Sequence, residues 1–337
     1  MKITAYAAKS QGQPLEKFDY ESEPLKNDEV SVAVEYSGLC HSDLSMIDNE
    51  WGVSQYPLVP GHEVIGKIVE VGANVHHLKV GQRVGVGWYS RSCLTCYQCL
   101  SGNHNLCLSA EATIIGRHGG FATHVRCQET WAMPLPEDLD PRTSGPLFCG
   151  GITAFNPIII NRVLPIHRVG VIGIGGLGHM AIRFLKAWGC EVTAFSTSPD
   201  KQAEAKSLGA HKFLATKNED ELKQVANYFD MILVTVNVPL NWDAYIATLR
   251  PGGKLHLVGA APSVQATVFP LIGGAKSIGA SPLGSPSTLM NMLEFCGRHE
   301  IGPVTEHFMM SDVNAALDRL KSGKARYRII LENDLSA

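Results

Sequence analysis

A chain of 337 residues, 45% of them hydrophobic and 18% charged, is long enough for two domains with sizeable cores and too apolar to remain disordered. Its 29 basic and 32 acidic residues are mixed along the sequence and leave a formal charge of −3, which gives no footprint for nucleic acid. No run approaches the ~20 apolar residues of a membrane span, and the N-terminus lacks the core of a signal peptide, so a cytoplasmic protein with no membrane partner is expected. In a reducing compartment its nine cysteines point to metal rather than to disulfides.

Up to about residue 92, short β-rich runs alternate with Val-Gly turns, a pattern that predicts a partly open β-barrel. Cys40 in "GLCHSD" and His62 in "YPLVPGHEVIG" stand here, as do Trp51 and Trp88. Taken singly, each has an ordinary reading: a buried cysteine, a hydrogen-bonded histidine, an indole filling a core.

Next comes "CLTCYQCLSGNHNLC", which places Cys93, Cys96, Cys99 and Cys107 within fifteen residues, with Gly102 and Asn103 supplying a turn. Four thiolates at that density can close a tetrahedron around zinc and leave no open position, so the lobe at 93–107 is expected to be a structural zinc site. An iron–sulfur cluster is the competing reading. The lobe carries only the neighbouring Arg91 and no basic patch, which argues against a nucleic-acid adaptor.

Beyond Cys149 in "PLFCGG", the stretch from Arg168 reads as strand, glycine turn, helix and strand. Gly173, Gly175 and Gly178, with Gly176 and Leu177 in the same turn, form G-x-G-x-x-G, which lets the backbone bend and approach a pyrophosphate at a helix N-terminus. The helix is expected to end at Gly189. The second strand closes on Ser196, Thr197 and Ser198, with Lys201 following, where an NAD enzyme usually presents a carboxylate; hydroxyls and a cation suit the 2′-phosphate of NADP instead. Further strands at "HKFLA", "FDMILVTV", "GGKLHLVGA" and "KSIGAS" extend a doubly wound parallel sheet, and Val236 sits at the carboxyl end of the fourth, where cofactor contacts cluster. Residues 152–284 are therefore expected to form an α/β Rossmann domain, with 1–151 and 285–337 combining into the second, ending in the strand "ARYRIILE".

The ordered landmarks "GLCHSD", "YPLVPGHEVIG", "VEVG", "VGQRVGVG" and the cysteine lobe resemble those of the zinc-dependent medium-chain alcohol dehydrogenases along the whole chain. "NEWGVSQYPLVPGHE" resembles their cinnamyl-alcohol-dehydrogenase-like branch of NADP-dependent aldehyde reductases. The resemblance implies a GroES-like catalytic domain and two zinc ions per chain, with Cys40, His62 and Cys149 as ligands of the catalytic one. It further implies Glu63 as a carboxylate near the metal, Asp43 as the residue orienting the ligand histidine, and Ser42 and His41 as a proton relay. Thr153 would pack near the nicotinamide, Arg328 would meet the pyrophosphate, and Trp51 and Trp88 would wall an apolar pocket for a primary alcohol or aldehyde. Family members are homodimers or homotetramers. An NAD-preferring polyol or formaldehyde dehydrogenase of the same superfamily is the nearer alternative, and a noncatalytic NADP(H)-binding redox-sensing protein the farther one.

Overall fold

The computed structural model describes residues 1–217 and 220–336; Asn218, Glu219 and Ala337, which fall inside the expected domains, lie outside the described residues. The chain divides into two units, Met1–Cys149 with Ser285–Ala337, and Gly150–Gly284.

The first unit is organised by one long strand, Glu29–Leu39. Its alternating Val30, Val32 and Val34 enter a core with Val64, Val84, Val86 and Trp131, as the period of two in an extended chain requires. At its far end Leu39 joins a second core with Ile3, Met46, Phe121, Leu317, Ile329 and Leu331. The strand pairs antiparallel with Val64–Val71, with His124–Gln128 and with Arg328–Glu332. These belong to a seven-stranded sheet that also contains Arg83–Val86, Ala132–Pro134 and Thr305–Met309. Register shifts near Ser31 and Val34 bend the strand, the usual device for curling a sheet toward a barrel. The pairing Ile329↔Leu39 brings the C-terminal strand beside the residues that precede Cys40.

The second unit is a six-stranded parallel sheet in the order Lys212–Ala215, Glu191–Ser196, Arg168–Ile172, Phe229–Val234, Leu249–Leu257, Ser277–Ala280. Numbered along the chain this is 3-2-1-4-5-6, the Rossmann order, so this unit is an α/β doubly wound sheet, and the first unit is β-rich. The central strand Phe229–Val234 is buried along its whole length, as a strand covered on both faces must be. Helix Gly176–Trp188 ends at Gly189, whose φ of 105° is the left-handed C-terminal cap expected of glycine. Among the described residues no single helix is long and apolar enough to cross a membrane.

Candidate active site and metal sets

Two clusters of potential ligand atoms stand in the first unit. The donor atoms of Cys40, His62, Glu63 and Cys149 all lie within 4.8 Å of one another, and so do the four sulfurs of Cys93, Cys96, Cys99 and Cys107.

The first set is assembled by three different chain segments. Cys40 caps the helix His41–Ile47, and Asp43 in that helix's first turn does three things at once. Its Oδ2 accepts from the Cys40 backbone N–H at 2.9 Å, and its Oδ1 accepts from the Gly61 N–H at 2.8 Å and faces His62 Nδ1 at 3.0 Å. A carboxylate can only accept, so Nδ1 of His62 carries the proton and Nε2 keeps its lone pair. That Nε2 stands 3.3 Å from the Cys149 sulfur. Both His62 and Asp43 are fully buried. Trp88 packs edge-to-face on the His62 ring with centroids 5.0 Å apart, and Trp51 meets Trp88 in the same way at 5.8 Å. The structure thus brings Trp88 to the histidine and Trp51 to Trp88, with Trp51 44% exposed.

Electrostatically the set is prepared for a cation. Hydrogen bonding with Cys149 comes first among the influences that hold the Cys40 thiol well below its ordinary range, and the same bond, with burial, pushes Cys149 well above it. The two sulfurs accordingly share one negative charge, and a divalent ion would release the remaining proton. Burial opposes a charge on His62, yet Asp43 and the Cys40 sulfur together outweigh it and raise the imidazole. Burial pushes the Glu63 carboxyl up to about 7 despite the opposing field of Arg328.

Arg328, expected at the pyrophosphate, has a partner inside this unit. Its side chain is 6% exposed, and its guanidinium donates to the Glu63 carboxylate and to the Leu39 carbonyl at 3.3 Å. The neighbouring Arg326 is exposed. Glu63 Oε2 has no hydrogen-bond partner among the described residues, so one buried acceptor faces the set unsatisfied. Two soft thiolates, one imidazole with a fixed tautomer and a nearby carboxylate fit zinc with an open coordination position.

In the lobe, the Cys96 N–H points at the Cys93 sulfur at 3.3 Å and the Cys93 N–H at the Cys107 sulfur at 3.5 Å, contacts that suit thiolates. Gly102, with a φ of +80°, makes the turn that brings Cys107 back. Backbone hydrogen bonds lower the Cys93 thiol to about 6, whereas burial raises Cys99 to about 12. Four sulfurs, with no other donor grouped with them among the described residues, fit a closed, structural zinc.

In the second unit the glycines do what their spacing demands. A side chain on Gly178 would stand 2.0 Å from the Gly173 carbonyl oxygen, so its absence lets the helix pack on the strand end, whereas one on Gly175 would meet only open space. A pyrophosphate fits that space, at the N-terminus of a thirteen-residue helix. Ser196 Oγ accepts from the Ser198 N–H at 3.1 Å, and Lys201 Nζ donates to the Ile174 carbonyl at 3.2 Å, so the candidate 2′-phosphate residues and the glycine turn adjoin. Thr197 is exposed and Leu177 partly buried; Val236 lies two residues beyond its strand, with its Cγ1 2.5 Å from where a Gly173 side chain would begin. Thr153 sits in the helix Gly150–Ile160, partly accessible. Ser42 Oγ is 3.7 Å from the Cys40 sulfur, and His41 is exposed.

Sequence reasoning missed Gly38. A Cβ there would fall 2.1 Å from Glu63 Oε2, so the glycine before "LC" makes room for the carboxylate. Its only signal is the small residue in "SGLCHSD".

Comparison with known proteins agrees with this geometry. Residues 26–137 match the alcohol dehydrogenase GroES-like domain and residues 176–298 the zinc-binding dehydrogenase family. The chain is 49% identical to the aldehyde reductase AdhA of Synechocystis sp. over 98% of its own length and 99% of the relative's. A cinnamyl alcohol dehydrogenase structure from Sorghum bicolor superposes with a TM-score of 0.94 at 33% identity, covering 98% of each chain. A second, from Helicobacter pylori and complexed with NADP(H), gives 0.90 at 29%, again covering 98% of each. The chain therefore belongs to the zinc-binding medium-chain alcohol dehydrogenases, in their cinnamyl-alcohol-dehydrogenase-like branch.

Proposed function

We propose that this member is an NADP(H)-dependent aldehyde reductase acting on primary aldehydes and alcohols, with a catalytic zinc on Cys40, His62 and Cys149 and a structural zinc on Cys93, Cys96, Cys99 and Cys107. The observation that carries the reading is the convergence of the Cys40, His62 and Cys149 donor atoms around one point, with Asp43 fixing the imidazole tautomer. When bound, zinc supplies Lewis-acid polarisation of a substrate oxygen and the nicotinamide supplies or accepts a hydride.

The residues do the rest. Asp43 keeps His62 Nε2 free to bind metal, and Arg328 holds Glu63 beside the set without letting it fill a ligand position outright. Ser42 Oγ gives or takes the substrate proton, which passes on to exposed His41 and solvent. Trp51 and Trp88 form an apolar wall that orients an aldehyde carrying an aliphatic or aromatic tail. Ser196, Thr197, Ser198 and Lys201 receive the 2′-phosphate, and the Gly173–Gly178 turn the pyrophosphate; Thr153 and Val236 complete the nicotinamide side. The NADP(H) complex of the Helicobacter pylori relative and the missing carboxylate at Ser196 both support NADP over NAD. Six thiols in two metal sets suit a reducing, cytoplasmic compartment.

Assembly as a homodimer or homotetramer is supported by the edge strand Ser277–Ala280, which has one sheet neighbour and an apolar helix beside it.

The test is metal analysis with steady-state kinetics. Purified chain should hold two zinc ions and oxidise NADPH with cinnamaldehyde or a short aldehyde, and Cys40→Ala should lose turnover and one zinc while keeping the other. Full activity in that variant, or a preference for NADH, would overturn the corresponding half of the reading.

A further inference from the structure

The Cys93–Cys107 lobe leaves the body of its unit through the strand Tyr89–Arg91 and returns through Glu111–Ala112, which pair with each other. A network of charges converges on both from one buried carboxylate. Glu29, with its side chain 4% exposed, receives Arg91 Nη2 at 3.2 Å and Arg117 Nη2 at 3.4 Å on the same oxygen. Arg91 also forks onto Asp28 with bonds of 2.8 and 2.7 Å, and Arg117 reaches Glu111 on the outgoing strand at 2.8 Å. Gln128 completes the base. It donates to Asp28 at 2.9 Å and accepts from the Ser92 N–H, one residue before Cys93, at 3.1 Å. The Ser92 hydroxyl lies 3.4 Å from His104 Nδ1 inside the lobe and accepts from the Trp131 indole at 3.3 Å.

Planar guanidinium forks fix direction as well as distance, so this arrangement sets the position of both chain ends that close the four-sulfur site. Four thiolates repel one another, and the geometry a metal requires must be held by something other than the sulfurs. We propose that Glu29 is the positioning residue of the cysteine lobe: through Arg91 and Arg117 it locks the incoming and outgoing strands so that the four thiolates are pre-arranged for the metal, and thereby sets how long the lobe keeps it.

This rests on the reading of the lobe as a metal site. It carries an internal control, because the strand that begins at Glu29 runs eleven residues before Cys40. At about 3.3 Å per residue that is roughly 36 Å along the strand, well beyond the ~10 Å over which charges act through salt solution. Glu29 should therefore govern the lobe and leave the Cys40–His62–Cys149 set alone.

The experiment follows zinc release from the loaded chain into an excess of a chromogenic chelator, pyridylazoresorcinol. The slow and fast phases are assigned by Cys107→Ser, which removes the lobe phase, and Cys149→Ser, which removes the other. Glu29→Gln should accelerate the lobe phase about tenfold or more, the scale seen when residues supporting metal ligands are changed, with the second phase unchanged. Arg91→Lys, which keeps the charge and loses the fork, should fall between. Val313→Ala, a core truncation elsewhere in the unit, reports what general destabilisation does. An unaltered lobe phase in Glu29→Gln, or both phases accelerating together as in Val313→Ala, overturns the inference alone. A parent chain with no lobe phase overturns the metal reading and this inference with it.

Discussion

The Glu63 carboxylate occupies the space that a side chain on Gly38 would take. A Cβ on Gly38 would lie 2.1 Å from Glu63 Oε2 and 2.9 Å from Glu63 Cβ, and one on Gly145 would lie 2.6 Å from the Glu63 carbonyl oxygen. Glu63 and Arg328 are both buried, so the pair cannot move outward to relieve the clash. Gly38→Ala should break the ion pair and leave a buried charge without its partner, at a cost of about 3 kcal/mol in stability. Turnover should fall with it. Gly302→Ala, where nothing lies within 4 Å, is the neutral control. Thermal melting and kcat of the two variants check this; a Gly38→Ala protein with parental melting temperature would mean that Glu63 has room to rearrange.

All three partners of Asp43, the Cys40 N–H, the Gly61 N–H and His62 Nδ1–H, are donors. Asp43→Asn keeps the volume but must turn an NH2 either toward the Cys40 N–H or toward both the Gly61 N–H and His62. If it faces His62, the imidazole proton shifts to Nε2 and blocks the ligand atom. Metal affinity of this set should drop by about 10- to 100-fold, with the lobe unaffected, as competition against a chelator would measure. Equal loss from both sets would point to unfolding instead.

What could be read in the sequence divides by the span of the contacts. The cysteine lobe and the glycine turn are local: each lies within fifteen or so residues, and chemistry limits what such a spacing can do. His62 and Cys149 are 87 residues apart, and nothing in periodicity joins them; the surrounding motifs and their family resemblance did. Glu63 and Arg328, 265 residues apart, meet because the C-terminal strand pairs antiparallel with Glu29–Leu39. That register depends on the whole sheet, so the arginine's ion pair was out of reach. Arg91 read as a lone cation for the same reason, its partner Asp28 being 63 residues away.

Lys201 is held at the glycine turn by the Ile174 carbonyl, which places its charge where the second strand ends. Lys201→Ala should lower kcat/KM for NADPH by about tenfold, the worth of one charge-assisted hydrogen bond, and leave NADH unchanged. Ser196→Asp adds a like charge against the 2′-phosphate and should reverse the preference. Parallel kinetics with both cofactors decide the matter; an equal effect on each would remove the 2′-phosphate role.

His256 titrates inside the second unit. Asn161 Nδ2 donates to the Pro157 carbonyl at 2.9 Å and faces His256 Nδ1 at 3.1 Å, so Nδ1 accepts and Nε2–H is left to donate to Ser281 Oγ at 3.0 Å. Burial, aided by Lys254, lowers the imidazole from 6.5 to about 4. Between those values the unfolded chain binds a proton that the folded chain declines. Stability is therefore present in full above pH 6.5 and falls as the pH drops to 4, by up to about 3 kcal/mol. His256→Gln should flatten that part of the profile. Denaturant midpoints at pH 7 and pH 5 for parent and variant isolate the difference, and parallel slopes would show that the histidine accepts the proton without penalty.

Among the described residues the edge strand Ser277–Ala280 pairs only with Leu249–Leu257, and the helix Val268–Gly274 before it exposes Val268, Phe269 and Ile272, with Phe269 80% exposed. An open strand edge with an apolar rim invites a second copy of the same sheet. Phe269→Glu places a charge in that contact without touching a buried residue, so the single chain should keep its fold. Light scattering should find the parent at a multiple of the 36.5 kDa chain mass and the variant shifted to a smaller species. A variant of unchanged mass would move the contact to another face. Loss of assembly together with loss of secondary structure would show instead that the helix itself had failed, a result that circular dichroism separates from simple dissociation.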